Sequence, residues 1–437
     1  YVSGAVLRAR VAAALGAPTA ICVSCHATSV SLRTPVTTAT DSVFSRRSNA
    51  LHFYSLNVFK NMDEQIKSNK HDVAKQISSS PLASAIRDAS DAKILEKIKQ
   101  RFQKERQWKT TFGNIKPIIS AEGNGIRFVA VGNTTGYRLK SSETFPDFLL
   151  WYIWEVFDSD WIKQQKFQAP ENLHTLIKWF RSFRKSYRSQ SEGKTDIIID
   201  YHFNGAAKAL VSLAYDLFTV ENNLYLPPIL LHRLRNAQQF QGARYELFCI
   251  CALLRGGFSV EFEDETDGTT SHPELIATHL STGTKIAVEA KSKHRKGILG
   301  MPGERVPDEK LRFGNVRKLL NDAVSKNVNI PLIIFFDVNL PPDSAKKFLA
   351  SSSDDKTLKV IKSLRQTDDL NDLFNFVLFT NHPHHYGRDD ETDPHKIYSG
   401  RIPANPKHPI VHMSVIEDIV SGATKYGHIP QEFNSEP

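Results

Sequence analysis

Glu289 and Lys291 lie two residues apart in a short segment whose residue types suit chemistry on a phosphate group. Residues 285–291 (KIAVEAK) form a β-prone run with alternating side chains, so the glutamate and the lysine share one strand face and the apolar side chains share the other. A carboxylate can hold a divalent ion, and a nearby ammonium can stabilise negative charge or position an attacking water. The pair therefore predicts metal-assisted chemistry at a phosphate.

A second acid, Glu274, precedes this run. Residues 273–280 predict a strand, and the STGT sequence that follows predicts a tight turn, so the two strands form a candidate hairpin. With the turn centred on its Thr-Gly pair, Glu274 lies opposite Lys291 and diagonal to Glu289, on the same face. A register slip of one residue would break this convergence, because it moves every side chain to the other face.

This constellation resembles the PD-(D/E)XK nuclease superfamily, which has the restriction-endonuclease-like fold. The family signature is an acid near the start of one strand, followed by (D/E)-x-K on the next strand. Glu274, preceded by proline, matches the first half, and Glu289 with Lys291 matches the second. Many members carry a further glutamate on the helix before the hairpin, and Glu246 stands at that position here.

The chain departs from the family at the first acid, where aspartate is usual and Glu274 stands instead. The longer side chain can still reach a metal. Asp264 and Asp267, upstream of the hairpin, remain alternative positions for the first acid.

The resemblance implies a Mg²⁺-dependent nuclease, with Mn²⁺ as a possible substitute. The implied metal ligands are Glu274, Glu289, the carbonyl of Ala290 and Glu246. Lys291 would help to position or deprotonate the water that attacks a phosphodiester in line. The expected activity is that of a DNA endonuclease of the restriction, defence or repair type. Two alternatives stay open: a nucleic-acid-binding protein that keeps the fold without catalysis, and a structural scaffold.

The elements around the hairpin have the order that this fold requires. The sequence predicts a helix at 243–255, a strand at 258–262, the hairpin, a helix at 316–326, a buried strand at 331–336 and a last strand at 376–379. The prediction is an α/β domain with an αβββαβ core in the C-terminal half, behind a mostly helical α+β N-terminal region.

Two basic segments are candidate nucleic-acid contacts. The first is the helical stripe of Lys178, Arg181, Lys185 and Arg188, which recurs opposite an aromatic stripe. The second is the run of Lys293, His294, Arg295 and Lys296 that follows Lys291 directly. A third polar cluster, His382, His384 and His385, is better explained as an exposed turn than as a transition-metal site.

Composition supports a globular protein with a polyanionic partner. The chain has 437 residues, 41% hydrophobic and 24% charged, which excludes wholesale disorder, and its formal charge of +9 favours a partner such as DNA. No apolar run reaches the roughly 18 residues that a membrane span needs. Four cysteines without a disulfide pattern fit a reducing compartment, so we expect a cytoplasmic protein, with a homodimer as a possible state.

The predicted boundaries divide the chain into four parts. Residues 1–61 have the composition of a transit peptide, which leaves an organelle as the alternative compartment, but the first methionine is Met62, so a disordered or non-native leader explains them equally well. Residues 62–240 form the mostly helical region with possible nucleic-acid contact, residues 241–425 the nuclease-like domain, and residues 426–437 a tail.

Overall fold

The structure is a computed structural model that describes most of the chain after residue 80. The described residues are 7–9, 81–133, 135–191, 199–201, 203–262, 273–298, 303–304, 315–326, 328–341, 356–364, 371–387 and 399–433. The chain divides into two compact units, one of residues 1–16 and 106–437 and one of residues 17–105. Of the predicted leader only Leu7–Ala9 is described, as a strand, β1. None of the described helices combines the length and apolar character needed to cross a membrane.

The N-terminal half is mostly helical, as predicted. Its helices are α1 (Pro81–Phe112), α2 (Phe145–Phe157), α3 (Ser159–Lys166), α4 (Thr175–Ser191), α5 (Gly205–Asn223) and α6 (Pro228–Arg235), and its strands are β2 (Ile119–Gly123), β3 (Ile126–Val131), β4 (Thr135–Lys140) and β5 (Ile199–Tyr201). Strands β2, β3 and β4 form an antiparallel sheet, and β5 pairs antiparallel with β1. The hairpin of β3 and β4 is thus extended to a three-stranded sheet by β2.

The C-terminal half is a mixed α/β structure built on a six-stranded sheet. Its elements are α7 (Phe240–Arg255), β6 (Phe258–Phe262), β7 (Leu275–His279), β8 (Lys285–Ser292), α8 (Val316–Val324), β9 (Leu332–Asp337), α9 (Lys356–Lys362), β10 (Phe376–Thr380), β11 (Ser399–Arg401) and α10 (Ser414–Lys425). The strand order is β11-β10-β9-β8-β7-β6, with β8, β9 and β10 parallel and the other neighbours antiparallel.

Two apolar cores cover the two faces of this sheet. Helix α7 packs with Ile286 and Val288 on one face, in a core that continues into the N-terminal helices. Helix α8 packs with Ala287 and Ile334 on the other face. Strands β9 and β10 are buried along their whole length, because each lies between two neighbours and under both cores. Strand β8 thus lies between two packed layers, and its even- and odd-numbered side chains enter different cores.

The predicted exposed histidine turn is wrong. His382 and His385 are buried, at 0% and 3% exposure, and their rings stack at a centroid distance of 4.8 Å. The aromatic ring of Phe248 on α7 covers His382, and His385 Nε2 lies 2.7 Å from the hydroxyl of Tyr426. Polarity suggested a surface turn, but the long α7 side chains reach over the carboxyl end of β10 and enclose it. Cys249 and Cys251 are buried, and both are free cysteines.

Helices α7 and α10 approach so closely at Gly422 that a side chain there has no room. An ideal Cβ at this position would overlap the carbonyl oxygen of Ala252 and the backbone of Gly256. We expect Gly422→Ala to lower the free energy of unfolding by about 1–3 kcal/mol, because the helices would have to separate. Chemical denaturation would measure it, with Gly123→Ala as the control, since a Cβ at Gly123 meets nothing within 4 Å. An equal, small effect of both substitutions would contradict this packing.

Candidate active site

The hairpin of β7 and β8 brings the first acid to the same face as Glu289. Leu275 pairs with Val288 and Ile276 with Ala287, so continuation of this register places Glu274 opposite Glu289. The prediction that Lys291 lies opposite Glu274 is therefore wrong by two residues. An even shift preserves the face, however, and the convergence of the three side chains is therefore confirmed.

The register differs because the turn closes earlier than the Thr-Gly pair suggests. The N–H of His279 donates to the carbonyl of Thr284 at 2.9 Å, which leaves a four-residue loop between them. Gly283 has a φ of +70° and is the last residue of that loop. A glycine in the left-handed region commonly ends a longer hairpin loop, whereas the prediction placed it at the centre of a two-residue turn.

Lys291 connects the two acids. Its Nζ atom lies 3.1 Å from Glu274 Oε1 and 2.7 Å from Glu289 Oε2. The second oxygen of Glu274 accepts a hydrogen bond of 2.9 Å from the N–H of Ala290. The first acid is thus fixed at both of its oxygens by the strand that carries the other two groups.

A second lysine, which the sequence did not indicate, completes this cluster. Lys326 Nζ lies 2.6 Å from Glu289 Oε1. Residue 326 follows α8, the helix that covers this face of the sheet. Nothing in the local sequence distinguishes it from other exposed lysines at helix ends, and only the packing of α8 on β8 brings it to the site.

Burial sets the electrostatics of the cluster. The Glu289 side chain is 0% exposed, and its pKa is raised by burial and by the nearby Glu274 carboxylate, against the opposing effect of Lys291 and Lys326. Burial lowers the pKa of Lys291, but the charges of Glu274 and Glu289 outweigh that effect, so its net pKa is raised. The Lys291 side chain is therefore an ammonium at neutral pH in this arrangement.

The Ala290 carbonyl is directed to the same place. The N–H groups of Ala287 and Lys293 donate to Pro331 and Asp337 on the β9 side, so the odd-numbered residues of β8 direct their peptide groups to β9. Residue 290 therefore directs its N–H and C=O away from β9, toward the side of β8 that pairs with β7. At this level of the sheet β7 has not yet begun, and the Glu274 carboxylate lies there instead. Two carboxylates and one carbonyl are oxygen donors of the kind that Mg²⁺ takes, with water as its remaining ligands.

Glu246 does not join this group. It lies on α7 and forms an ion pair with Arg233 of α6. Within the described residues, no set of three His, Cys, Asp or Glu side chains is arranged to hold a metal ion. The oxygen donors that the described structure brings together beside Lys291 are thus the carboxylates of Glu274 and Glu289. The alternative first acids, Asp264 and Asp267, lie outside the described residues.

The two basic segments differ in how much of their charge reaches the surface. On α4, Lys178, Arg181, Lys185 and Arg188 are all exposed, while Leu176 and Phe183 are buried, so the predicted basic face is present. After β8, His294 and Lys296 are exposed and Lys293 is half-buried. Arg295 is buried at 3% exposure, with its guanidinium 5.7 Å from the ring centre of Tyr386, so this side chain packs inward.

Comparison with known proteins adds no relative. No protein-family model, no curated protein and no solved structure matches this chain. The geometry of the cluster around Glu289 is therefore the evidence from which a function is inferred.

Proposed function

We propose that the chain is a metal-dependent nuclease of the PD-(D/E)XK type that hydrolyses phosphodiester bonds in DNA. The observation that carries this proposal is the convergence of Glu274, Glu289 and Lys291 at the end of one hairpin, where the Ala290 N–H also donates to Glu274. Charged groups this close and this buried are expensive to keep in a fold for packing alone. They are common where a protein stabilises charge during a reaction.

The fold around the cluster supports the proposal. The order α7, β6, β7, β8, α8, β9 is the αβββαβ order of a restriction-endonuclease-like core. The antiparallel β6–β7–β8 part and the parallel β8–β9 part meet at β8. The proposed site thus lies on the strand at which the sheet changes direction, flanked by a helix on each face.

The roles of the side chains follow from their contacts. Glu274, Glu289 and the Ala290 carbonyl would hold Mg²⁺, which when bound stabilises charge on a phosphate oxygen and lowers the pKa of a coordinated water. Lys291 keeps the two carboxylates together through its contacts of 3.1 and 2.7 Å. Because its pKa is raised, Lys291 stays protonated and offers positive charge to the phosphate.

A cleavage assay tests this function directly. Purified protein is incubated with supercoiled plasmid and with labelled duplex, in Mg²⁺, in Mn²⁺ and in EDTA. We expect nicking or linearisation in the presence of either metal and none in EDTA. Binding of DNA without any metal-dependent cleavage would reject the nuclease and support the second candidate.

That second candidate is a nucleic-acid-binding protein that has kept the fold without catalysis. The contact of Lys326 with Glu289 favours it, because two ammoniums already balance the two carboxylates without a metal. The absence of a third acid from the described cluster points the same way. Metal titration separates the candidates, because this one predicts no saturable site for Mg²⁺ or Mn²⁺.

Both candidates predict that the basic face of α4 contributes to DNA binding. We expect Arg181→Ala, Lys185→Ala and Arg188→Ala together to weaken duplex binding and to lower the slope of log affinity against log salt. The slope should fall by up to about 0.9 for each phosphate that the protein no longer neutralises. Fluorescence anisotropy across a salt series measures both quantities.

The matched control removes three exposed lysines from α1 instead: Lys93, Lys97 and Lys104. This variant removes the same amount of charge and should keep the wild-type slope. Equal slopes for the two triple variants would show that net charge alone, and not the α4 face, governs binding.

A further inference from the structure

Glu289 is held by one ammonium at each carboxylate oxygen. Lys326 Nζ lies 2.6 Å from Oε1, and Lys291 Nζ lies 2.7 Å from Oε2. The carboxylate is 0% exposed, whereas the two lysine side chains are 21% and 19% exposed. Both oxygens of Glu289 thus have an ammonium partner, so a metal ion that binds this carboxylate competes with Lys326 or Lys291.

Lys326 is the ammonium that can withdraw. Lys291 is fixed from a second side by Glu274 at 3.1 Å and lies within a strand of the sheet. Lys326 follows the last turn of α8, and in the described part of the chain Glu289 is the carboxylate that it contacts. Its long, partly exposed stem lets the charged end swing to solvent while the backbone stays in place.

The charge balance indicates where the Lys326 ammonium goes. Two carboxylates and two ammoniums balance without a metal, so a divalent ion leaves an excess of two positive charges in this largely buried site if both ammoniums stay, and of one if Lys326 withdraws to solvent. The phosphates of a nucleic acid bring the compensating negative charge to the same place. An ammonium released from Glu289 then finds a phosphate as its new partner, at little electrostatic cost.

We propose that Lys326 competes with the metal for Glu289 and transfers to the phosphate backbone when nucleic acid binds, so that metal and nucleic acid bind cooperatively. This inference rests on the proposed nuclease site. Lys326 thus contacts Glu289 before nucleic acid binds and the phosphate backbone afterwards. By linkage the effect is reciprocal: nucleic acid raises metal affinity by the factor by which metal raises nucleic-acid affinity.

The test measures binding and not cleavage, with Ca²⁺ as the probe ion. Calcium affinity is measured by isothermal titration on the protein alone, and duplex affinity by anisotropy with and without Ca²⁺. For the wild type we expect Ca²⁺ to raise duplex affinity on the order of tenfold, within the usual range of such couplings. Lys326→Met should bind Ca²⁺ on the order of tenfold more tightly without DNA, and should show little further coupling.

Two control variants separate this effect from loss of charge or of folding. Lys318→Met removes an exposed lysine from α8 and should match the wild type in both measurements. Lys326→Arg keeps a cation at the position and should keep the coupling. Melting temperatures of all variants verify that each is folded.

The outcomes distinguish this inference from the proposed function. Wild-type Ca²⁺ affinity and coupling in Lys326→Met would overturn the role of Lys326 and leave the nuclease site standing. Failure of both the wild type and Lys326→Met to bind Ca²⁺, with and without duplex, would overturn the metal site and this inference together.

Discussion

Glu289→Gln is expected to reduce metal-dependent cleavage by on the order of a thousandfold or more, which corresponds to several kcal/mol of activation barrier. The substitution keeps the shape of the side chain but removes the charge that lies between Lys291 and Lys326. It also removes the buried carboxylate that would bind the ion most directly. We therefore expect the metal affinity to fall together with the cleavage rate.

Folding has to be measured alongside, because the same substitution leaves two ammoniums facing each other. Loss of one partner from a fully buried ion pair costs about 3–5 kcal/mol. Lys291 and Lys326 are each about one-fifth exposed and can turn toward water, so we expect a smaller loss here. Glu261→Gln, at an exposed position on β6, is the control and should leave both rate and stability unchanged. Full metal-dependent activity in Glu289→Gln would exclude this site as the nuclease centre.

Three companion substitutions separate the roles within the hairpin. Lys291→Ala should abolish cleavage but keep or slightly tighten metal binding, because a positive charge is removed from beside the ligands. Glu274→Asp should keep part of the activity, and Glu274→Ala should lose it, since the carboxylate accepts from the Ala290 N–H. Full activity in Glu274→Ala would show that Glu274 is not the first acid and would leave Asp264 and Asp267 as the candidates.

The hairpin shows what strand periodicity can and cannot predict. Alternation along residues 285–291 placed Glu289 and Lys291 on one face, and the structure confirms this because burial of Ile286 and Val288 leaves no other orientation. The exact pairing depended on the conformation of one glycine, Gly283, which residue type does not determine. The face was therefore predictable, and the partner across the hairpin was not.

Contacts between segments that lie far apart in the sequence were harder to predict. Lys326 reaches Glu289 only because α8 packs on β8, and no local pattern encodes the end point of a flexible side chain. Glu246 had the right place in the sequence, yet its nearest cation is Arg233 on the preceding helix. The prediction of an exposed turn at His382 and His385 failed for the same reason. The polarity of a residue does not show whether neighbouring elements will enclose its side chain.

Asp216→Asn is expected to destabilise the fold more than Gly422→Ala does. Asp216 is 1% exposed on α5, and its Oδ2 lies 2.7 Å from Arg244 Nη1 and accepts a 2.6 Å hydrogen bond from the hydroxyl of Tyr426. Arg244 donates to the same hydroxyl at 3.0 Å. A second buried guanidinium, Arg255, lies 5.6 Å from the ring centre of Tyr426.

This network connects the N-terminal helices to the sheet domain through charge. Without the Asp216 carboxylate, Arg244 and Arg255 remain buried as cations, and loss of one partner of such a pair costs about 3–5 kcal/mol. That is a large part of the roughly 5–15 kcal/mol by which a folded protein is stable. Urea denaturation measures the loss, and Asp160→Asn, at a side chain that is 77% exposed, is the control.

A double variant distinguishes the loss of a charge partner from general disruption. Asp216→Leu combined with Arg244→Met replaces both members of the pair by apolar side chains of similar volume, which is often neutral or stabilising relative to a buried ion pair. We therefore expect the double variant to be more stable than Asp216→Leu alone, despite carrying one more substitution. Strictly additive losses in the two single variants and the double variant would show that the pair is not coupled. In that case the cost of Asp216→Asn would not lie in the uncompensated charge of Arg244.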